Sequence, residues 1–350
     1  MKESQIIGCI LGTAIGDAIG LPYEGLSRRR GVKLLGAPTR HRLLFGKGMV
    51  SDDTEHTCLV VQSLIASGGN DAEFQRQLAW RLRWWLLGLP AGVGFATLKS
   101  IVRLWCGVSP NNSGVFSAGN GPAMRSAILG AAIEDLEQLK KRVKISSRIT
   151  HTDPKAEYGA FAIALAAQMI CKNRDTSGED FLHQLKSAIT EEASELIDLI
   201  QRSFDSSQHG DSTLEFARQL GLDNGVSGYV YHSVPIALHA WFRYPKDFQQ
   251  AIVSVVECGG DTDSVAAIVG GLVGTAVGEA GIPLKWQQDL IEFPRSIAWM
   301  KSLGSQLSEY LSTRQPNHPM GLPIVPLLLR NAVFLAIVLG HGFRRLLPPY

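Results

Sequence analysis

Two glycine ladders at four-residue spacing constrain this chain more than any other feature. Gly8, Gly12, Gly16 and Gly20 lie near the start, and Gly270, Gly274 and Gly278, with Gly271 beside them, lie far downstream. Glycine inside a helix costs about 1 kcal/mol relative to alanine, so a repeated ladder needs a compensating gain. Close helix packing supplies one, and the pattern fits a central helix pair that other helices surround. The same G-x-x-x-G spacing occurs in membrane helix pairs, but Asp17 and Glu279 flank the ladders here, so no bilayer is required.

Elsewhere apolar residues recur at helical spacing and period-two alternation is nearly absent, so the chain reads as mostly α. The spacing predicts helices over Gln5–Gly16, Asp53–Ala66, Asp71–Leu86, Gly121–Leu129, Lys155–Ile170, Asp180–Gln201, Ser227–Trp241, Phe248–Glu257 and Ser264–Gly278. Loops are expected at Gly31–Met49, Ser109–Gly119, Arg174–Gly178 and Asp205–Thr213. With 350 residues, 45% of them hydrophobic and 19% charged, the chain can bury a core as one domain.

Net charge is +2, and the basic residues are scattered apart from Arg28-Arg29-Arg30 and Arg344-Arg345, so no stripe points to nucleic acid. Cys9, Cys58, Cys106, Cys171 and Cys258 are odd in number and lack C-x-x-C spacing. Neither a disulfide framework nor a thiolate zinc site is indicated, and a reducing, cytoplasmic setting is expected. The N-terminal apolar run ends at Asp17 without a cleavage-type flank and reads as a first core helix, not a signal peptide.

The C-terminus is less ordinary. Leu322–Leu339 is strongly apolar but is interrupted by Pro323, Pro326, Arg330 and Asn331. An arginine at a bilayer centre costs roughly 2.5 to 3.5 kcal/mol on an insertion scale. Two apolar pieces around a turn fit better than a span, and a C-terminal helix docked on the body or on a second subunit is expected; membrane contact of this segment is the alternative.

Two acidic clusters carry the chemistry. Ser51-Asp52-Asp53-Thr54-Glu55 follows a glycine-rich loop and opens an apolar helix. Capping explains one or two acidic residues at a helix start, but not two adjacent carboxylates flanked by hydroxyls. Gly259-Gly260-Asp261-Thr262-Asp263-Ser264 repeats the design of a glycine turn, carboxylates, hydroxyls and an apolar helix. Hard oxygen donors of this kind suit Mg²⁺, Mn²⁺ or Ca²⁺. Carboxylates converging without a cation would repel and raise their own pKa values. Two divalent ions about 3.5 to 4 Å apart would neutralise such a nest.

Three further blocks are weak alone. Glu24 ends Gly16-Asp17-Ala18-Ile19-Gly20-Leu21-Pro22-Tyr23-Glu24, where a helix breaks; a lone loop glutamate is usually solvated surface. Gly119-Asn120-Gly121 opens a helix whose free N–H groups could receive a phosphate. His151-Thr152-Asp153 precedes another helix, where simple capping is the bland explanation.

In this order the blocks G-D-A-x-G-x-P-x-E, S-D-D-T-E, G-N-G-x-x-M-R, H-x-D and G-G-D-T-D-S strongly resemble the ADP-ribosylglycohydrolase family, over roughly residues 5 to 300. The resemblance implies a compact all-α fold, an orthogonal multi-helix bundle over residues 1–318, with 319–350 as a C-terminal apolar extension. It also implies two divalent cations, Mg²⁺ or Mn²⁺, and removal of ADP-ribose from a modified protein side chain or a related small compound, arginine being the favoured acceptor. Carried over motif by motif, Ser51, Asp52, Asp53, Asp261, Asp263 and Ser264 would be metal ligands, and the acidic ones among them catalytic. Glu24 would be the family's mobile active-site glutamate. Gly119, Asn120 and Gly121 would belong to the ADP-ribose pocket, with His151 and Asp153 beside it and Tyr229 against the adenine. Serine stands at 51 and 264 where many relatives have threonine, and both offer an oxygen. The competing readings are a binuclear-metal phosphoesterase and a non-catalytic ADP-ribose-binding member of the same fold.

Overall fold

A computed structural model describes residues 3–315 and 317–346. Residues 1, 2 and 316 of the expected 1–318 unit, and 347–350 of the expected 319–350 extension, lie outside that description. Seventeen α-helices occupy the described residues. In chain order they are α1 (Glu3–Gly20), α2 (Arg28–Leu35), α3 (Asp52–Ala66), α4 (Asp71–Leu87), α5 (Phe95–Trp105), α6 (Ala127–Ala132), α7 (Leu136–Arg148), α8 (Pro154–Lys172), α9 (Gly178–Ala188), α10 (Ser194–His209), α11 (Thr213–Gln219), α12 (Val230–Arg243), α13 (Phe248–Val256), α14 (Thr262–Val277), α15 (Leu284–Gln288), α16 (Ile297–Thr313) and α17 (Ile324–Leu346). Among the described residues the one sheet is a two-residue antiparallel pair, β1 (Leu26–Ser27) against β2 (Gly259–Gly260).

The glycine ladders meet as the sequence predicts. Gly8 faces Gly274 and Gly278, Gly12 faces Gly270, Gly16 faces Ala266 and Gly20 faces Thr262, so α1 and α14 run antiparallel in backbone contact. A Cβ on Gly12 would collide with the carbonyl oxygen of Gly270, and one on Gly270 with that of Gly12. Ile6, Ile10, Leu11, Ile15, Ile268, Val269 and Leu272 on this pair are fully buried, so it forms the centre of the core. The antiparallel arrangement brings the C-terminal end of α1 beside the N-terminal end of α14.

Several expected elements differ. The Asp180–Gln201 helix is broken: Ile189 leaves α9 in an extended conformation, and α10 begins at Ser194 and continues to a left-handed Gly210, through much of the expected loop. Gly121–Leu129 opens instead as a 3-10 turn at Ala123–Arg125, and α6 starts only at Ala127. Helices α2, α5, α7, α11, α15 and α16 were not expected. In α7 the apolar stripe of Leu136, Leu139 and Val143 is interleaved with Lys140, Lys141, Arg142 and Lys144.

The C-terminal segment is one continuous helix, not two pieces around a turn. Pro326 falls in the first turn of α17, where backbone N–H groups have no intrahelical partner, so its missing donor costs nothing. Arg330 and Asn331 are buried against the body, which removes the other reason to expect a break. Helices α1 and α17 are both long and apolar enough to cross a membrane; that stretch of α1 is 100% buried inside the protein, whereas only 17% of that of α17 is.

Candidate active site

Three helix ends converge on the acidic clusters. Asp17, on the last turns of α1, is fully buried and accepts hydrogen bonds from the backbone N–H of Ser51 at 2.9 Å and of Thr54 at 3.2 Å, and from the Thr54 hydroxyl. This carboxylate therefore caps α3 from another helix and fixes the turn that presents Ser51, Asp52 and Asp53. The Ser51 hydroxyl donates to Asp53 Oδ2 at 3.1 Å, and Ser264 Oγ approaches the same oxygen at 3.4 Å, which joins the two acidic motifs. Asn120 Nδ2 donates to Asp261 Oδ2 at 2.7 Å.

Glycines make this convergence possible. Gly259 and Gly260 have φ of +75° and +83°, and a Cβ on Gly260 would run into the backbone of Val226. The β1–β2 pair and the Gly25 N–H to Gly260 carbonyl bond of 2.7 Å tie the Glu24 turn to the Asp261 turn. On the other side, the His151 ring packs against the Gly119-Asn120-Gly121 turn so closely that a Cβ on Gly121 would lie 2.9 Å from its Cε1. The Thr150 hydroxyl contacts His151 Nδ1 at 2.9 Å, and the buried Arg125 donates to that same hydroxyl at 2.8 Å.

The electrostatics are those of an under-neutralised acidic nest. Burial, with the Asp17, Glu55 and Glu24 charges, pushes the Asp52 pKa well above the carboxylate range. Burial with Asp52, Asp17 and Asp261 does the same for Asp53, and burial with Glu24, Asp53 and Asp261 for Asp263. Asp17 is raised by burial to about 6, against its hydrogen bonds from Thr54 and Ser51. Asp261 is raised by burial against the Asn120 bond. Glu24 sits exposed at the rim, yet enough protein surrounds its carboxyl that lost hydration and the Asp261 charge raise its pKa, with Arg345 opposing. Burial, reinforced by Arg125, lowers His151 to about 3 and keeps it neutral.

A cavity of about 850 Å³ opens over this nest, within the size range of small-molecule sites. Glu24, Ser51, Asp52, Asp261, Asp263 and Ser264 line it, as do Gly119, Asn120, Gly121 and His151. Asp53 lies beneath, buried. Two more of the expected residues stand outside the lining, besides Asp53. Asp153 caps α8 by accepting from the Lys155 N–H at 2.9 Å, and the Tyr229 hydroxyl accepts from Lys155 Nζ at 2.9 Å. The aromatic rings at the cavity wall are Phe95, Phe116 and Phe334.

The donor set suits hard divalent cations. It consists of carboxylate and hydroxyl oxygens, and Asp53 Oδ1 and Asp263 Oδ1 are buried without a hydrogen-bond partner. Among the described residues no three His, Cys, Asp or Glu side chains already converge in coordinating geometry. The nest therefore holds the ligand types and unspent acceptors of a metal centre, not a preassembled shell.

Sequence reasoning missed the role of Asp17, although a carboxylate within an apolar glycine ladder was the visible signal. It also missed Arg125, whose partners His56, Ser146 and Thr150 come from separate elements. Glu55, within the first acidic motif, faces away from the cavity and pairs with Arg295 at 2.8 Å and Trp85 Nε1.

The described residues form an almost wholly helical body with an acidic pocket between the ends of its central helices. The profile of the ADP-ribosylglycohydrolase family matches residues 1–317, and the chain belongs to that family. It is 27% identical to "ADP-ribosylhydrolase ARH3" of Gallus gallus, over 85% of this chain and 91% of that one. It is likewise 27% identical to the "ADP-ribosyl-[dinitrogen reductase] glycohydrolase" of Rhodospirillum rubrum, over 82% and 90%. A solved structure titled "ADP-ribosylglycohydrolase-related protein complex" superposes with a TM-score of 0.63 at 25% identity, covering 88% of this chain and 98% of that one. At the family level these relations support an enzyme of ADP-ribosyl hydrolysis.

Proposed function

We propose that this chain is a metal-dependent hydrolase of the glycosidic bond joining ADP-ribose to a modified protein side chain or a small ADP-ribosyl compound. One observation carries the reading: a single cavity has Asp52, Asp261 and Asp263 at its acidic floor, Glu24 at its rim, and the Gly119-Asn120-Gly121 turn with neutral His151 on its wall. Such a division suits a diphosphate linked to a ribose, with anionic oxygens at the sugar and the glycine turn beside the phosphates; in that turn the Asn120 N–H already donates to the Gly228 carbonyl at 2.9 Å and the Gly119 N–H to Ser117 Oγ at 3.3 Å.

Ser51, Asp52, Asp53, Asp261, Asp263 and Ser264 would hold two divalent cations, Mg²⁺ or Mn²⁺. When bound, such ions orient ribose hydroxyls and lower the pKa of water. Cleavage of the anomeric bond passes through an oxocarbenium-like state, so water must be directed to one face. Glu24, at the rim beside Asp261, would orient that water and its raised pKa suits proton exchange with it. Asn120 fixes Asp261 through its amide, and Asp17 fixes the Ser51 turn from below. Phe95 and Phe116, 70% and 80% exposed at the wall, offer faces for the adenine in place of Tyr229. Arginine is retained as the favoured acceptor, and the cytoplasm as the setting that free cysteines suit.

The test is incubation with ADP-ribosyl-arginine, ADP-ribosyl-serine and a generic phosphodiester, each with Mg²⁺, Mn²⁺ or EDTA. Free ADP-ribose released only with metal is the expected result. Release of AMP or phosphate instead would mark a phosphoesterase, and binding of ADP-ribose without turnover a non-catalytic member.

A further inference from the structure

We propose that α17, which lies beyond the family match ending at residue 317, is a built-in strap that positions the Glu24 and Ser51 turns and walls the cavity with Phe334 and Val338. The proposal rests on the hydrolase reading for its catalytic consequence and on geometry alone for its structural one.

The stripe that touches the body is Arg330, Phe334, Val338, His341 and Arg345, spaced by three or four residues and therefore on one helix face. Three of these residues, Arg330, Phe334 and Arg345, reach the cavity lining or a residue next to it. Arg330 donates to the Val50 carbonyl at 2.6 Å, immediately before Ser51, and pairs with buried Glu292 at 2.7 Å. Its guanidinium also approaches Glu55, one turn after Asp52, at 3.4 Å. Phe334 is 2% exposed and packs with Leu21, Met49 and Ala91. His341 contacts the Leu43 carbonyl at 2.6 Å. At the far end Arg345 donates one N–H to the Glu24 carbonyl at 2.7 Å and another to the Pro22 carbonyl at 2.9 Å.

An apolar helix added only to cover surface would not carry a buried arginine. A buried charge is tolerated when paired, and here the ionic partner Glu292 itself accepts from the Val50 N–H at 3.0 Å, which ties the pair to the start of the Ser51 turn. Glu24 lies on a turn whose C-terminal side is held by β1 and Gly25, whereas its N-terminal side is held from α17 by the two Arg345 bonds. Arg345 is thus a positioning residue for Glu24.

The experiment compares the full chain with Arg345→Ala and Arg345→Lys. Amide exchange of Gly25–Ser27, read without substrate, should speed up in the alanine variant, and lysine should restore part of the protection. On whichever ADP-ribosyl substrate the wild type cleaves, Arg345→Ala should lower kcat by about 10- to 100-fold, with KM within about twofold, because misplacement of a reacting group by about 1 Å costs that much. Lysine, which can still donate to one carbonyl, should recover part of kcat. Wild-type exchange and kcat in Arg345→Ala would overturn the proposal, as would a loss that lysine does not restore and that follows a lowered Tm. If the wild type cleaves no ADP-ribosyl compound, the hydrolase reading fails, and the exchange rates alone decide whether the strap holds the turn.

Discussion

Asp17 is a fully buried and Asp261 a half-buried carboxylate of the same nest, and they act on different neighbours. Asp261 lines the cavity with one oxygen held by Asn120, so its charge is directed at whatever occupies the floor. Asp261→Asn keeps the shape and removes the charge; turnover should be lost and divalent-ion affinity lowered, as measured by calorimetric titration with Mn²⁺. Full turnover would sink the assignment of this residue to the metal site. Asp17 points instead at the N–H groups of Ser51 and Thr54 and at a hydroxyl. An asparagine there has one acceptor oxygen and would turn N–H donors toward donors. Asp17→Asn sets about 1 to 3 kcal/mol for buried donors left unpaired against relief of the buried charge at neutral pH, so the destabilisation should be clearest near pH 4 and shrink toward pH 7, read from denaturant midpoints. The acidic motifs were legible from the sequence because each repeats glycine, carboxylate and hydroxyl in a short run. Asp17 was not, because its partners lie on α3 and only the fold brings them together.

At the level of the helices, the glycine ladders give two opposing expectations for alanine. Helix propensity alone favours Gly12→Ala by about 1 kcal/mol. The Gly270 carbonyl occupies the place of the new methyl, and overpacking of this kind costs typically 1 to 3 kcal/mol and occasionally more. The packing cost should prevail, so Gly12→Ala is expected to lower Tm, while Gly340→Ala on exposed α17, with nothing within 4 Å, should raise it. A higher Tm for Gly12→Ala would count against backbone contact between α1 and α14. This helix pair was readable because close packing forces glycine at fixed intervals. The break between α9 and α10 was not readable, since Ile189 and Thr190 carry no proline or glycine signal and only the turn of the chain around Ala193 defines it. The continuity of α17 was also hidden. Pro326, Arg330 and Asn331 look like interruptions until the partners Glu55, Glu292, Val50 and the Gly88 carbonyl are known.

For the whole molecule, the acidic nest couples stability to pH and to divalent ions. Asp17 has an ordinary pKa of 3.8 and a folded value of about 6, so between those values the folded chain binds more protons than the unfolded chain. Stability on its account therefore falls as pH rises through that window, and Asp52, Asp53 and Asp263, raised well above the same ordinary value, extend the fall upward. Glu55 works in the other direction. The Arg295 and Arg330 charges outweigh its burial and hold its pKa below the ordinary 4.5, so its contribution is gained on the acid side and is complete once pH exceeds that value. Above about pH 5 the nest should dominate, and in EDTA Tm is expected to decline between about pH 5 and 7. A cation bound to the ionised nest reverses the penalty by neutralising it and by mass action, which amounts to about 2.7 kcal/mol at one hundred times Kd. Thermal scans in EDTA and in Mg²⁺ or Mn²⁺ should therefore coincide near pH 4, where the carboxylates keep their protons, and separate progressively toward pH 7. Curves that coincide at every pH would show that the nest binds neither ion, and the metal-dependent reading would fall with it.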